Sequence, residues 1–162
     1  MVYSANYLLK HWLCAFAMLA VIGPSLAFAQ KAVSTNDFPL QKIEITLDDT
    51  QSLSLIVEIA QTHAKRAQGL MHREVLTDSQ GMLFIWPDRA VRQFWMKNTP
   101  LSLDILFFDE FGTLVHLAEA QTPFSERIVT SLMPVQYVLE LPAGDTNRYG
   151  IELGAKLTHF LP

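Results

Sequence analysis

Short apolar runs separated by turn residues dominate the chain after residue 40. Apolar and polar side chains alternate over residues 42–47 and again over 53–59, with turn residues at 48–51 between them. Alternation with a period of two is typical of half-buried strands, so residues 42–60 predict a β-hairpin. Further apolar runs, each ended by a turn signal, cover 82–86, 91–96, 103–108, 113–119 and 135–141, with a closing strand near 155–160.

One segment lacks the strand pattern. Residues 63–71 (HAKRAQGLM) contain no β-branched side chain and many helix formers, and Thr62 precedes them as a candidate N-cap. They predict one short helix over about 63–71, and a further helical turn is expected in the glycine-containing stretch before the closing strand. Six to eight short strands with turns between them predict a mainly β fold, an antiparallel β-sandwich or barrel.

The first 29 residues have the features of an export signal. Lys10 and His11 precede the apolar stretch 13–22, and Ala27-Phe28-Ala29 follows a Gly-Pro break. This pattern predicts a Sec-type signal peptide cleaved after Ala29 and a periplasmic or secreted protein; an uncleaved N-terminal anchor is the alternative. Residues 30–40 are then a linker, and residues 41–162 a single β-rich domain.

Cleavage after Ala29 changes both the cysteine count and the charge. It removes Cys14, the one cysteine of the sequence, so the mature chain has no disulfide and no thiolate ligand. It also removes Lys10, which leaves 11 basic against 16 acidic residues and a net charge of −5. Nucleic acid and anionic lipid both require a basic surface, so we expect neither as a partner. The expected partner is an unknown small ligand or periplasmic protein, and no membrane span is expected after cleavage.

Four blocks together resemble a known family. They are residues 66–86 (RAQGLMHREVLTDSQGMLFIW), 94–109 (FWMKNTPLSLDILFFD), 138–144 (VLELPAG) and 150–157 (GIELGAKL). In this order they resemble the bacterial and archaeal family of domain of unknown function 192, over about residues 53–160.

The resemblance implies an often exported, mostly antiparallel β-sandwich of jelly-roll type, and it implies no activity and no cofactor. The chain differs from the family pattern in two places. Ser102 stands where members commonly have proline, while proline occurs here at Pro100. The cysteine pair that many members carry in the loop near 121–130 is missing, so no redox role is expected for that loop.

Asp104 is the candidate site residue with the strongest physical argument. In a strand over 103–108 both faces are apolar, so its carboxylate is expected to be buried and to need hydrogen-bond donors. Donors near in sequence are Lys97, Asn98 and Thr99. Donors that could approach in space are Arg66, Arg73 and Arg92. Either these groups form a structural network around Asp104, or the carboxylate is the polar end of a ligand pocket.

Arg66 and Arg73 form a second candidate. Seven residues apart, they lie two turns along one helix face and could grip a carboxylate, a phosphate or an acidic sugar. Alternatively, each pairs with an acid of the domain. The acids considered are Glu74, Asp78, Asp104 and Glu140. Asp104 and Glu140 could also form a carboxylate pair of glycosidase type.

Methionine and histidine side chains suggest a metal-binding site as an alternative. Met71, His72 and Met96 could bind Cu(I) in an exported protein, because soft sulfur and imidazole ligands suit that ion. Methionine also fills irregular cores, and no closely spaced Met or His pair is present, so no metal site is the preferred prediction.

These residues predict a noncatalytic binding or accessory module. Its cleft would have aromatic walls from Trp86, Phe94 and Trp95. Its polar side chains would come from Arg66, Arg73, Lys97, Asn98, Thr99, Asp104 and Glu140. The first alternative is a hydrolase-like enzyme that uses Asp104 as acid or base, and the second is a Met/His copper carrier. No cofactor is predicted.

Overall fold

The computed structural model describes residues 38–76 and 80–158. The predicted signal peptide, residues 30–37 of the predicted linker and Asp78 lie outside the described residues. β1 begins at Leu40, the last residue of that linker, and Phe38 just before it is buried.

The described residues form seven strands and two short helices. In chain order they are β1 (Leu40–Thr46), β2 (Ser52–Ala60), α1 (His63–Gln68), β3 (Met82–Phe94), β4 (Leu103–Phe108), β5 (Leu114–Gln121), β6 (Val129–Pro142), α2 (Asp145–Tyr149) and β7 (Lys156–Thr158). The mainly β prediction is therefore confirmed. The predicted hairpin is β1 and β2, and the predicted helical turn before the last strand is α2.

All seven strands belong to one curled sheet, in the order β5-β4-β6-β3-β2-β1-β7. The sheet is mixed, so the prediction of antiparallel pairing throughout is wrong at one place: β2 and β3 run parallel. Parallel neighbours need a crossover connection, and the segment that contains α1 supplies it.

The two edges of the sheet approach each other beside β7. Thr113, just before β5, forms an isolated antiparallel bridge with Lys156, the first residue of β7. Leu114 N–H donates to the Ala155 carbonyl at 2.8 Å, and Gly154 N–H donates to the Leu114 carbonyl at 2.9 Å. These bonds satisfy backbone groups that an open edge would leave unpaired.

β3 differs from the predicted pair of strands at 82–86 and 91–96. It continues as one strand through Pro87, because the long strand β6 pairs with it on both sides of that residue. The register shifts between Ile85 and Ala90, and an irregularity of this kind is where a sheet accommodates proline.

The helix also differs in length from its prediction. Thr62 caps its start as predicted, with its hydroxyl accepting from Lys65 N–H at 3.2 Å. The helix ends at Gln68 rather than at residue 71, because Gly69 follows with a φ of 50° that breaks the helical backbone.

Alternate residues of the central strands point into two separate apolar clusters. Leu83, Leu106 and Leu139 belong to one cluster, whereas Met82 and Ile105 belong to the other. All six residues of β4 are buried as a consequence. The second cluster also contains Phe84, Met96, Phe107 and Val138.

Gly81 brings β3 against β6 at the centre of the sheet. A Cβ at this position would lie 2.2 Å from the Glu140 carbonyl oxygen and 2.8 Å from a Leu141 methyl carbon. This glycine, which belongs to the first block that resembles the family, is therefore required by backbone packing.

We expect Gly81→Ala to lower the free energy of unfolding by about 3 kcal/mol, because the strands must separate to admit the methyl group. Gly150→Ala is the matched control. Its site has a φ of 68° but open space, so only the left-handed backbone penalty of about 1 kcal/mol applies. Urea unfolding of both variants measures the difference, and equal losses would contradict this role of Gly81.

Candidate functional site

A cleft of about 270 Å³ lies between the α1 region and β3. Its walls come from the end of α1 and the turn after it, from β3, and from the segment that follows β3, and Glu140 of β6 also lines it. The lining residues are Arg66, Ala67, Gln68, Gly69, Leu70, Met71, Phe84, Trp86, Gln93, Phe94, Trp95, Thr99 and Glu140. We call this space the α1–β3 cleft.

Three aromatic rings of β3 form one wall of the α1–β3 cleft. Phe84 and Phe94 meet edge to face with ring centroids 5.1 Å apart, and Trp86 meets Phe94 edge to face at 6.2 Å. Phe84 and Trp86 are nearly parallel at 6.2 Å. Such mutual contacts restrict the rotamers of all three side chains, so the wall is preformed.

Basic side chains cover the outer aromatic rings. The guanidinium carbons of Arg66 and Arg92 lie 5.3 and 4.6 Å from the centroid of the Trp86 ring. The Lys97 ammonium lies 5.0 Å from the centroid of the Trp95 ring, which is 41% exposed. Arg66, Arg92 and Lys97 form what we call the basic rim.

Arg66 is held by carbonyl groups. Its Nη1 donates to the Ile85 carbonyl at 2.9 Å and to the Gln61 carbonyl. Arg73 instead forms a two-pronged ion pair with Glu58 at 2.5 and 2.6 Å, and it does not line the cleft. Arg73 is thus paired with an acid, but with Glu58 and not with one of the four acids that the sequence analysis considered. Arg66 and Arg73 do not form a common anion-binding site.

Glu140 is the acidic residue of the α1–β3 cleft. It lies in a cross-strand row between Met82 of β3 and Ile105 of β4, both fully buried, and is itself 5% exposed. No described group lies within hydrogen-bonding distance of its Oε2. Burial raises the pKa of the Glu140 carboxyl to about 8, because this environment does not solvate the charge.

Asp104 is also fully buried, but its carboxylate is fully hydrogen bonded. Oδ1 accepts from the Ala120 N–H at 2.8 Å. Oδ2 accepts from the Gly144 N–H at 2.9 Å, the Thr146 N–H at 3.2 Å and the Thr146 hydroxyl at 2.7 Å. The predicted donors, residues 97–99 and the arginines, do not bond to Asp104. The strand register instead brings the end of β5 and the start of α2 to it. The residue does not line the cleft.

The Lys97-Asn98-Thr99 segment forms a tight turn. Thr99 N–H donates to the Met96 carbonyl at 3.0 Å, and Asn98 is exposed with a φ of 56°, a conformation that asparagine tolerates well. Lys97 pairs with Glu126 at 3.6 Å. Of these three residues, Thr99 alone lines the cleft, and its hydroxyl donates to the Lys97 carbonyl at 3.3 Å.

The three residues of the copper alternative occupy different environments. Met96 is 1% exposed within an apolar cluster, His72 is exposed and Met71 lines the cleft. Over residues 38–76 and 80–158, no group of three or more His, Cys, Asp or Glu side chains is arranged to hold a metal ion.

The cleft contains residues that the sequence analysis missed. Ala67 and Gln68 of α1 and Leu70 in the turn after it form one side, and Gln93 lies between the aromatic residues of β3. A signal for the wall was present in the sequence, because Phe84 and Trp86 are two residues apart and a strand places them on one face. No comparable pattern in the sequence indicates that the α1 region lines a cleft.

We expect Asp104→Asn to destabilise the domain by about 3 kcal/mol, because an amide cannot accept from all four donors and removes the charge that strengthens those bonds. Asp49→Asn, in an exposed turn, is the control and should change stability by less than about 0.5 kcal/mol. Urea unfolding at pH 7 compares them. A change below about 0.5 kcal/mol for Asp104→Asn would show that the network is dispensable.

We expect Glu140 to make stability depend on pH. Its carboxyl has a pKa of about 8 when folded and near 4.5 when unfolded, so between these values the native state holds a proton that the unfolded state has lost. Stability should therefore fall as pH rises through this window, at up to about 1.4 kcal/mol per pH unit.

Glu140→Gln should remove this slope, so the variant gains stability over the wild type as pH rises from 5 to 8. Glu152→Gln, which changes an exposed carboxylate, is the control and should run parallel to the wild type. Urea unfolding at several pH values measures the curves. Parallel curves for Glu140→Gln and the wild type would show that Glu140 is ionised in the folded protein.

Two solved bacterial structures are similar to this chain. A protein from Sinorhizobium meliloti 1021, assigned provisionally as a transcription regulator, is 37% identical, and the match covers 75% of this chain and 95% of that chain with a TM-score of 0.72. A protein of unknown function from Novosphingobium aromaticivorans DSM 12444 is 31% identical, with coverages of 74% and 84% and a TM-score of 0.69. No curated protein is significantly similar to this chain.

The family model that matches is DUF192, described as an uncharacterized ACR, and it covers residues 44–159. This range contains every residue that lines the α1–β3 cleft. It also contains all four sequence blocks, so the resemblance inferred from them is confirmed. The chain belongs to the DUF192 family.

Proposed function

We propose that this protein is a noncatalytic periplasmic binding module whose α1–β3 cleft holds a small ligand with a flat, apolar body. The observation that carries the proposal is Glu140: a buried carboxyl group that lines an aromatic cleft and has a free oxygen.

A free polar atom at this position is costly. A buried acceptor or donor without a partner destabilises a fold by about 1–3 kcal/mol, and the neighbours Met82 and Ile105 show that an apolar residue fits the same row. A ligand that hydrogen bonds to Glu140 Oε2 recovers this energy when it binds. Buried titratable groups with a raised pKa in a cleft are candidates for function on this ground.

The chemistry of the cleft favours binding over catalysis. Among the described residues that line it, Glu140 is the one acid and Arg66 the one base, and Arg66 is committed to two carbonyl groups. Asp104, the acid or base of the enzyme alternative, accepts four hydrogen bonds elsewhere in the sheet. A preformed aromatic wall with a few polar groups is the usual form of a small-molecule site.

The periplasmic location rests on the signal-like first 29 residues. The name of the Sinorhizobium relative suggests a role in transcription, but a mature net charge of −5 disfavours a nucleic-acid partner. Among the described residues, no helix is long and apolar enough to cross a bilayer.

A thermal-shift screen of the mature domain, residues 30–162, tests the proposal, because a ligand that binds the native state raises its melting temperature. The library should contain small aromatic acids, amides, amines and cell-wall fragments. We expect hits for the wild type that disappear in Ala67→Trp, which fills the cleft from an exposed position on α1.

Ala64→Trp is the matched control. Ala64 is exposed on the same helix but does not line the cleft, so this variant should keep the hits. Hits that survive Ala67→Trp would place binding elsewhere, and a screen without hits would contradict the proposed function.

A further inference from the structure

The charges around the α1–β3 cleft are unbalanced. Arg66 contributes a positive charge that contacts carbonyl groups and the Trp86 ring, with no described carboxylate in ion-pair distance. The other cations of the basic rim have acidic partners on exposed residues, Asp88 at 3.2 Å for Arg92 and Glu126 at 3.6 Å for Lys97. Three cations against these two acids (3 − 2) leave the basic rim with a net charge of +1, that of Arg66.

Glu140 does not offset the basic rim. An unpaired carboxyl buried among apolar side chains retains its proton, because the ionised form would be neither solvated nor paired. The raised pKa of the Glu140 carboxyl agrees with this state. A protonated carboxyl is a hydrogen-bond donor, so the cleft combines a neutral donor at Glu140 with the positive charge of Arg66, which also lines it.

The surrounding charges leave this state undisturbed. Glu58 lies two strands away in the same row, at roughly 10 Å, and is neutralised by Arg73. Asp104 belongs to the neighbouring position of β4, opposite Leu141 rather than Glu140. The charged side chains and histidines on the elements that surround Glu140 are Glu58 of β2, Arg73 beside it, His63, Lys65 and Arg66 of α1, Asp88, Arg89 and Arg92 of β3, Lys97 in the turn after β3 and Asp104 of β4.

A cationic ligand fits this cleft poorly. Aromatic walls attract cations through their ring faces, but the Trp86 ring already carries two guanidinium groups and the Trp95 ring an ammonium group. A further cation would meet like charges at both tryptophan rings of the cleft. An anion meets attraction at the rim and a donor at Glu140.

We propose that the α1–β3 cleft selects small organic acids: molecules with a flat apolar body and a carboxylate that accepts a hydrogen bond from Glu140. This inference rests on the proposed binding function and names its ligand class. The cleft volume of about 270 Å³ equals roughly nine water volumes, so the whole ligand is about the size of one aromatic ring that carries a carboxylate.

Three probes that are similar in shape but differ in charge test the ligand class. Benzoate, benzamide and benzamidine carry charges of −1, 0 and +1, and calorimetry or chemical-shift titration of the mature domain gives their affinities at pH 6.5. We expect benzoate to bind tightest and benzamidine weakest. Ala67→Trp should abolish the binding, and Ala64→Trp should leave it unchanged.

The pH dependence of benzoate binding tests whether the Glu140 carboxyl donates the hydrogen bond. Benzoate binding to the wild type should weaken about tenfold per pH unit above 8, because the protonated fraction of Glu140 falls by that factor. Glu140→Gln keeps a neutral N–H donor, so it should bind benzoate without this dependence. Glu140→Met removes the donor and should weaken benzoate at least tenfold at pH 6.5.

The outcomes separate the two proposals. If benzamidine binds tighter than benzoate and Ala67→Trp abolishes that binding, the cleft is a binding site but the inferred ligand class is wrong. The same holds if the wider screen gives cleft-dependent hits while benzoate does not bind. If neither the screen nor these probes show cleft-dependent binding, both proposals are overturned.

Discussion

A carboxyl group buried in a sheet must receive hydrogen bonds or keep its proton, and this domain uses both solutions on adjacent strands. Asp104 of β4 accepts four hydrogen bonds, which tie that strand to the end of β5 and to the start of α2. Glu140 of β6 has a free oxygen and a pKa raised to about 8 by burial. The first carboxyl stabilises the framework. The second gives the α1–β3 cleft a polar group that the fold itself does not use.

Local patterns predicted the strands well but not how they pair. Alternation over 42–60 identified the β1–β2 hairpin, and the apolar run 103–108 matches β4 residue for residue. The parallel pairing of β2 with β3 joins segments separated by a helix, and no local pattern encodes it. The continuity of β3 through Pro87 likewise depends on β6, whose pairing residues lie about fifty positions further along the chain. Two residues of the family blocks have a physical reason in the structure: Gly81 permits close packing on β6, and Asn98 adopts the positive φ of a tight turn.

The candidate site was also predicted only in part, where local sequence patterns sufficed. Trp86, Phe94 and Trp95 were predicted as aromatic walls, and all three line the cleft. The sequence analysis ranked Asp104 first among the site candidates, but Asp104 and Glu140 are both acids inside apolar runs, and no local pattern shows which of them is fully hydrogen bonded. Their difference arises from donors 16 to 42 residues from Asp104, which the register of the sheet brings together. Arg73 was placed in the site because its partner Glu58, 15 residues earlier on β2, could not be identified from spacing.

The proposed role of the α1–β3 cleft depends most directly on the protonation state of Glu140. Carbon-13 NMR of the glutamate side-chain carboxyl carbons, with Glu140→Gln used to assign the Glu140 signal, follows this group alone as pH changes. We expect a midpoint near pH 8 in the free domain and a higher midpoint with saturating benzoate, because the bound carboxylate stabilises the protonated form. A midpoint near 4.5, or one that benzoate lowers, would contradict a protonated Glu140 that donates to the ligand.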